Sequence, residues 1–401
     1  MDKVIIIGGG MAAARACINL RANDYQGQIT LISEEALLPY DRPPLSKSSI
    51  AEENEPAPIY LLEADMIASL KVETRLGAAA NKIDRAAKKV LLTDGSSVAY
   101  DKLLIATGAK PRSLGPHALT LRDHQDTLLL REKFTPGKQI VVIGGGFIGL
   151  ELASSAIKRG CKVTVIEAQP RILMRGVPEP IAKIIHDRHI AAGVEMLVGV
   201  GIEEIGAHHV KLKDGRKLMA DTIIAGIGAA PEVRLAQEAG LEIDNGIACN
   251  AMMKTSDPDI YAAGDCCSFP HGQSGRRIRL EAWRSAQEQA ATAVANMLGG
   301  TKLHNSVPWF WSDQYELGLQ IAGMADAGAV TVERRVSENT LLLFHLTPGG
   351  QLMGVSGIGP GVSIARDVKL AEMMIAKNMS PDAATLADPA VPLKDLLKRQ
   401  N

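Results

Sequence analysis

Two glycine clusters carry the clearest chemical signal in this 401-residue chain. VVIGGGFIGLELA, from Val141 to Ala153, sets Gly144, Gly146 and Gly149 in the spacing G-x-G-x-x-G, and VIIIGGGMAAARA, from Val4 to Ala16, sets Gly8, Gly10 and Ala13 in its tolerated variant. In this spacing the first glycine makes a tight turn, the second lets a diphosphate approach the backbone, and the third lets a helix pack on its strand. Each cluster is followed by a carboxylate: Glu34, 26 residues after Gly8, and Glu167, 23 residues after Gly144. An acid there accepts ribose hydroxyls, and Glu167 would repel the extra 2′-phosphate of NADPH, so NADH is the expected substrate. Arg171 and Arg175, close behind, argue the other way.

Both clusters need the same support. A β-branched run of strand length enters the glycines and an Ala-rich helical stretch leaves them, so one strand-turn-helix unit occurs twice. Two dinucleotide sites on one chain suggest one cofactor that is held and one substrate that exchanges. A flavin in the first and a nicotinamide in the second is the economical pairing. DKLLIATGAKPR, Asp101 to Arg112, and DTIIAGIGAAPE, Asp221 to Glu232, repeat a strand, a glycine break and a proline, with Gly228 in the second break. Then TSDPDIYAAGDCC brings a strand ending at Ala263 to Gly264 and Asp265. Asp265 would either reach a ligand's hydroxyls or cap a following helix.

Composition bounds the rest. Lys and Arg number 44 against 45 Asp and Glu, a formal charge of −1, so no global field favours nucleic acid or an anionic membrane. With 46% hydrophobic residues, 22% charged residues and 38 glycines, the chain reads as a Gly-rich α/β enzyme of two or three domains. Its five cysteines include no C-x-x-C, which indicates neither a disulfide framework nor a zinc ribbon and fits a reducing cytoplasm. Met1-Asp2-Lys3 passes straight into a short apolar run, leaving no room for a signal-peptide core, and no apolar run is long enough to span a membrane.

The motif order resembles the flavoprotein pyridine-nucleotide reductases of the glutathione-reductase type. More narrowly, LPYDRPPLSK (Leu38 to Lys47), GFIGLELA (Gly146 to Ala153) and PWFWSDQY (Pro308 to Tyr315) resemble the ferredoxin reductase components of aromatic-ring dioxygenase and bacterial cytochrome P450 systems. This resemblance implies an α/β fold with two Rossmann-type domains and a C-terminal α+β interface domain. The FAD domain would be 1–110 with 242–310, the NAD domain 111–241, and the interface domain 311–401. FAD, tightly bound, would be held by Gly8, Gly10, Ala13 and Glu34 at its ADP half and by Asp265 at the ribityl chain. Arg42, Lys47, Thr107 and Ala109 would line the flavin, with Trp283 and Trp311 beside it. NADH would bind at Gly144, Gly146, Gly149, Glu167 and Gly228.

Disulfide reductases of this superfamily carry C-x-x-C after the first unit, where this chain has Pro39 to Lys47 and no sulfur. Without a thiolate, disulfide exchange has no nucleophile, so electrons must leave the flavin directly. Lys47 and Glu151 match the family's polar pair at the reactive end of the flavin; the plainer alternative is a helix-start lysine and a solvent-facing glutamate. The implied function is an NADH-dependent reductase that passes single electrons to a small acidic 2Fe-2S ferredoxin, Rieske-type favoured, serving a terminal oxygenase. Rubredoxin reductase, P450-system reductase and an NADH-sensing flavoprotein resembling apoptosis-inducing factor are the alternatives. Arg276, Arg277, Arg279 and Arg284 form a local basic run that would steer an acidic carrier.

Several features are expected to be plain structure. Cys266 and Cys267 would pack at a helix start, Trp309 would pack in a core or interface, and His186 and His189 would lie on a helix surface without completing a metal shell. His208 and His209 would fall in a loop or at a strand edge. The tail DPAVPLKDLLKRQN would end in a helix packed on the third domain.

Overall fold

The computed structural model describes residues 1–54 and 56–398. They form two compact units, 1–42 with 58–110 and 230–306, and 43–54 and 56–57 with 111–229 and 307–398.

In the first unit five parallel strands lie in the order Ile260–Ala262, Lys102–Ile105, Lys3–Ile7, Gln28–Ser33, Val72–Leu76. Lys3–Ile7 is central and buried over Val4, Ile5, Ile6 and Ile7, which is why it reads as an unbroken apolar run rather than an alternating one. The helix Met11–Ala22 returns over the sheet, with Ala12, Ala13, Ala14 and Ala16 buried. These methyl side chains let it lie close to the strands and to the helix Trp283–Met297. Ala80–Asp84, Lys89–Leu92 and Ser97–Ala99 add an antiparallel three-stranded sheet.

The second unit repeats the pattern: parallel strands Glu195–Val198, Lys162–Glu167, Gln139–Ile143 and Thr222–Ala225, with helices Phe147–Lys158 and Glu179–Ala191. Its C-terminal part is an antiparallel sheet ordered Trp309–Gln314, Leu317–Gly323, Leu352–Pro360, Thr340–Leu346, Val330–Ser337. The helix Ala365–Ala376 buries Val368, Ala371, Met374 and Ile375 in the core of that part. The tail forms the helix Leu393–Lys398, with Leu393 and Leu396 in the same core; Arg399, Gln400 and Asn401 lie outside the described residues.

One side chain bonds to carbonyls of the segment 49–54. Arg131, on the helix His124–Lys133, donates to the carbonyls of Ser49 (2.9 Å), Glu52 (2.7 Å) and Asn54 (2.9 Å). A guanidinium presents five donors in a fixed fork, so a single arginine can hold a whole loop.

Three local expectations are corrected. A strand, Cys267–Pro270, follows Asp265, so no helix follows for that carboxylate to cap, and Cys266 and Cys267, both at 0% exposure, lie just before and at the start of that strand rather than at a helix start. His189 is not on a surface. It is wholly buried, because Ile181, Ile185 and His189 recur every four residues along one stripe of their helix.

Candidate functional site

In the first unit the sequence-derived residues follow the carboxyl ends of four parallel strands, where open α/β sheets bind their ligands. Gly8 follows Lys3–Ile7, Glu34 follows Gln28–Ser33, Thr107 follows Lys102–Ile105, and Asp265 follows Ile260–Ala262. Gly8 has φ +135°, and a Cβ there would stand 2.1 Å from the carbonyl oxygen of Ala106, so only glycine fits. Gly10 caps the helix Met11–Ala22 in extended conformation, and a Cβ on it would meet nothing nearer than Arg42 Nε at 3.9 Å. That helix start has no side-chain cap and no acid in its first turn, so its amides and dipole are left for an anion. An open cradle over uncapped amides fits the diphosphate of FAD.

The surrounding side chains are fixed by neighbours that the sequence reading did not single out. Arg42 pairs with Glu35 at 2.5 Å, and the Tyr40 hydroxyl donates to the same carboxylate. Trp283 Nε1 donates to Asp41 Oδ1 at 2.7 Å, which ties the indole to the residue preceding Arg42. Thr107 Oγ1 donates to the Glu232 carbonyl at 2.7 Å, and Ala109 is buried. Gly264, φ +87°, lies against Ala12, which brings half-buried Asp265 to the start of the first helix. Glu34 is exposed.

The second unit builds the companion cradle. Gly144, φ +108°, would place a Cβ 2.4 Å from the Gly226 carbonyl oxygen, and Gly149 would place one 2.2 Å from that of Gly144. Gly226, in the G-I-G break, is thus a third fixed contact of this turn that the fingerprint spacing does not reveal. Gly146 caps Phe147–Lys158 in extended conformation, again without a side-chain cap or a first-turn acid. Glu167 is held by backbone at both oxygens: Gly145 N–H donates to Oε2 at 2.8 Å and Gln169 N–H to Oε1 at 2.7 Å. Gly228 has φ +93° with Arg175 Nη1 as its near neighbour, and Arg171 donates to the carbonyl of Ile172.

Also in this unit, Glu151 points inward at 4% exposure, which removes the solvent-facing alternative. Lys47 Nζ lies 3.0 Å from its Oε1, Ser46 Oγ donates to Oε2 at 2.5 Å, and Ser312 Oγ donates to Oε1 at 2.6 Å. Lys47 is 23% exposed, so the pair has a buried carboxylate and a cation with one side open. Trp311 stacks on Trp309, centroids 5.2 Å apart, and Phe147 packs on Phe310 at 4.4 Å.

Residues 2–290 match the family described as pyridine nucleotide-disulphide oxidoreductase, and residues 309–397 match the reductase C-terminal family. The chain belongs to the pyridine nucleotide-disulphide oxidoreductase family. It is 36% identical to the anthranilate 1,2-dioxygenase system ferredoxin–NAD(+) reductase component of Burkholderia cepacia, over 99% of both chains. It is 33% identical to putidaredoxin reductase of Pseudomonas putida, over 99% of this chain and 97% of that one. Among solved structures, the covalent putidaredoxin reductase–putidaredoxin complex superposes with a TM-score of 0.93 at 33% identity, covering 99% of this chain and 98% of the other.

As a member of the pyridine nucleotide-disulphide oxidoreductase family the chain is an oxidoreductase, with FAD as cofactor and NADH as substrate. Cys17, Cys161, Cys249, Cys266 and Cys267 are free and buried, and burial pushes the thiols of Cys17 and Cys266 up to about 12 and about 11. Thiols so far from ionising are packing residues rather than nucleophiles. The basic run is also less open than its sequence suggests. Arg277 pairs with Asp244, Arg279 with Glu281 and Arg284 with Glu288, at 3.3, 2.6 and 3.6 Å. Each pairing cancels part of the field that would steer an acidic partner.

Proposed function

We propose that this protein oxidises NADH and delivers the electrons one at a time to a small acidic 2Fe-2S ferredoxin, Rieske-type, that serves a terminal oxygenase in the cytoplasm. The relatives named as reductase components of dioxygenase systems, and the solved complex of a relative with its putidaredoxin, support the acceptor. Bound FAD supplies the conversion between two-electron and one-electron chemistry.

The protein's part is binding, orientation and charge. Gly8, Gly10 and Ala13 would receive the diphosphate of FAD at the Met11–Ala22 helix start, with Glu34 on the ribose and Asp265 on the ribityl hydroxyls. Arg42, Thr107, Ala109 and Trp283 would line the flavin from the first unit, and Lys47 and Trp311 belong to the same assignment. Gly144, Gly146, Gly149 and Gly228 would take the nicotinamide dinucleotide, with Glu167 selecting the free 2′-hydroxyl. The FAD domain would be 1–110 with 242–310, the NAD domain 111–241, and 311–401 the interface for the carrier.

The observation that carries this reading is the Lys47–Glu151 ion pair in a segment where a disulfide reductase would place its cysteines. An ammonium offsets negative charge that develops nearby, and a carboxylate offsets the ammonium when that charge is gone. The test is NADH-driven cytochrome c reduction with and without a 2Fe-2S ferredoxin. A large ferredoxin-dependent stimulation is expected. Flavin that NADH reduces but no ferredoxin reoxidises would overturn the proposal in favour of a sensing flavoprotein.

A further inference from the structure

We infer that Ser312, with Gln314, His189 and Tyr315 aligned behind it, is a positioning residue for the Glu151–Lys47 pair. The inference rests on the proposed role of that pair and deepens it.

The hydrogen bonds fix one another's direction. Glu151 Oε1 accepts from Ser312 Oγ at 2.6 Å, which uses the single proton of that hydroxyl. Ser312 Oγ must therefore accept from Gln314, and it does so from Nε2 at 3.3 Å. Gln314 is thereby oriented with Oε1 toward His189 Nε2, 2.8 Å away. A carboxamide oxygen only accepts, so Nε2 carries the imidazole proton and Nδ1 offers a lone pair, 3.1 Å from the Tyr315 hydroxyl. Burial pushes the His189 pKa down to about 4 and that of Tyr315 up to about 12, so the imidazole is neutral and the phenol keeps its proton at neutral pH. Donation thus runs one way, from Tyr315 through His189, Gln314 and Ser312 to Glu151.

Such a series does not conduct protons, because the carboxamide of Gln314 would have to pass through its imidic acid form. It can hold a carboxylate still. Aligned hydrogen bonds polarise one another, and a carboxylate with fixed acceptor directions fixes its ammonium partner. The far end is anchored at a cost in backbone strain. Tyr315 has φ +57° in the two-residue turn between Gln314 and Leu317, a conformation that a bulky residue rarely adopts. The Arg188 guanidinium lies 4.1 Å from the ring centroid and pairs with Glu316 at 2.7 Å, so the ring is held on two sides.

The experiment compares wild type, Ser312→Ala, Ser312→Thr, Tyr315→Phe and Glu151→Gln as full-length FAD-loaded protein, by stopped-flow reduction with NADH. Ser312→Ala is expected to slow NADH-saturated reduction roughly tenfold without changing the NADH concentration at half-saturation, and Ser312→Thr to restore it. Tyr315→Phe removes one oxygen at the far end and is expected to slow reduction roughly threefold, which tests the series even if Ser312→Ala loses FAD. Slow Glu151→Gln with wild-type rates in both Ser312→Ala and Tyr315→Phe would overturn the positioning role and leave the proposed function standing. A wild-type rate in Glu151→Gln would instead remove the role of the pair itself. Independently of turnover, long-range 1H–15N spectra of histidine-labelled protein, assigned by difference against His189→Gln, should show the Nε2–H tautomer at pH 7. The Nδ1–H tautomer would overturn the stated direction.

Discussion

Lys47 stands 3.0 Å from Glu151, and this ion pair joins two residues 104 positions apart in sequence at a carboxylate that is 4% exposed. Ser46 and Ser312 complete the shell of that carboxylate but bring no charge. Removing the cation alone leaves a buried anion uncompensated. Lys47→Ala should therefore destabilise the fold by on the order of 3 kcal/mol, less whatever water recovers through the open side of Lys47. Lys47→Ala combined with Glu151→Gln should regain most of that loss. Urea midpoints of the two variants check this; equal midpoints would mean that the pair contributes no such coupling.

The two glycines of the first cradle separate folding from binding. Gly8→Ala drives a methyl to 2.1 Å from the Ala106 carbonyl oxygen at φ +135°, and should cost at least about 2 kcal/mol. Gly10→Asp brings its Cβ no nearer than van der Waals contact with Arg42 Nε and places a carboxylate at an uncapped helix start, which the amides and that guanidinium tolerate or favour. It should fold with an unchanged melting temperature and purify without FAD, because the new carboxylate occupies and repels the diphosphate. The ratio of flavin to protein absorbance decides. Normal flavin content in Gly10→Asp would place FAD elsewhere.

Much of this was legible in the chain. Strand, glycine turn and Ala-rich helix recur at Val4 and Val141 because both units need the same close packing of helix on strand, so the cradles and the acids beside them follow from local spacing. The shell of Glu151 comes from Ser46, before the helix Ser48–Ala51, and from Ser312 on a C-terminal strand, which no local pattern joins. Two signals were nonetheless present. In WFWSDQ, Ser312 and Gln314 are polar at alternate strand positions around exposed Asp313, the mark of a buried polar face. His189 continues the four-residue stripe of Ile181 and Ile185, and pairing it with His186 instead put it on the wrong face. Asp265 was ambiguous between ligand and cap until the strand Cys267–Pro270 removed the helix.

Glu167 gives a prediction about nucleotide choice. Because backbone N–H groups of Gly145 and Gln169 hold both of its oxygens, the carboxylate is oriented before any nucleotide arrives. Glu167→Ala should lower the ratio of kcat/KM for NADH over NADPH by roughly 10- to 100-fold, with Arg171 and Arg175 then free to favour the 2′-phosphate. Glu167→Gln should also lose preference, since its amide NH2 would face an N–H donor. Ratios measured at matched ionic strength test this, and an unchanged ratio in Glu167→Ala would remove Glu167 from the specificity assignment.

Stability should fall in mild acid, and the direction follows from three buried histidines. Burial pushes His189, His304 and His345 each down to about 4, from an ordinary value of 6.5. Between those limits the unfolded chain binds protons that the folded chain refuses, so stability is full above pH 6.5 and drains as pH falls toward 4. At pH 5 each histidine should account for about 2 kcal/mol of lost stability. His345 is the cleanest probe, because it lies in the C-terminal sheet with Ser356 Oγ at 3.1 Å from Nε2 and takes no part in the Glu151 shell. His345→Gln keeps a hydrogen-bonding side chain but cannot titrate, so its loss of stability between pH 7 and pH 5 should be about 2 kcal/mol smaller than wild type. Urea unfolding at the two pH values measures the difference, and equal losses in the two proteins would show that His345 takes up its proton in the folded state.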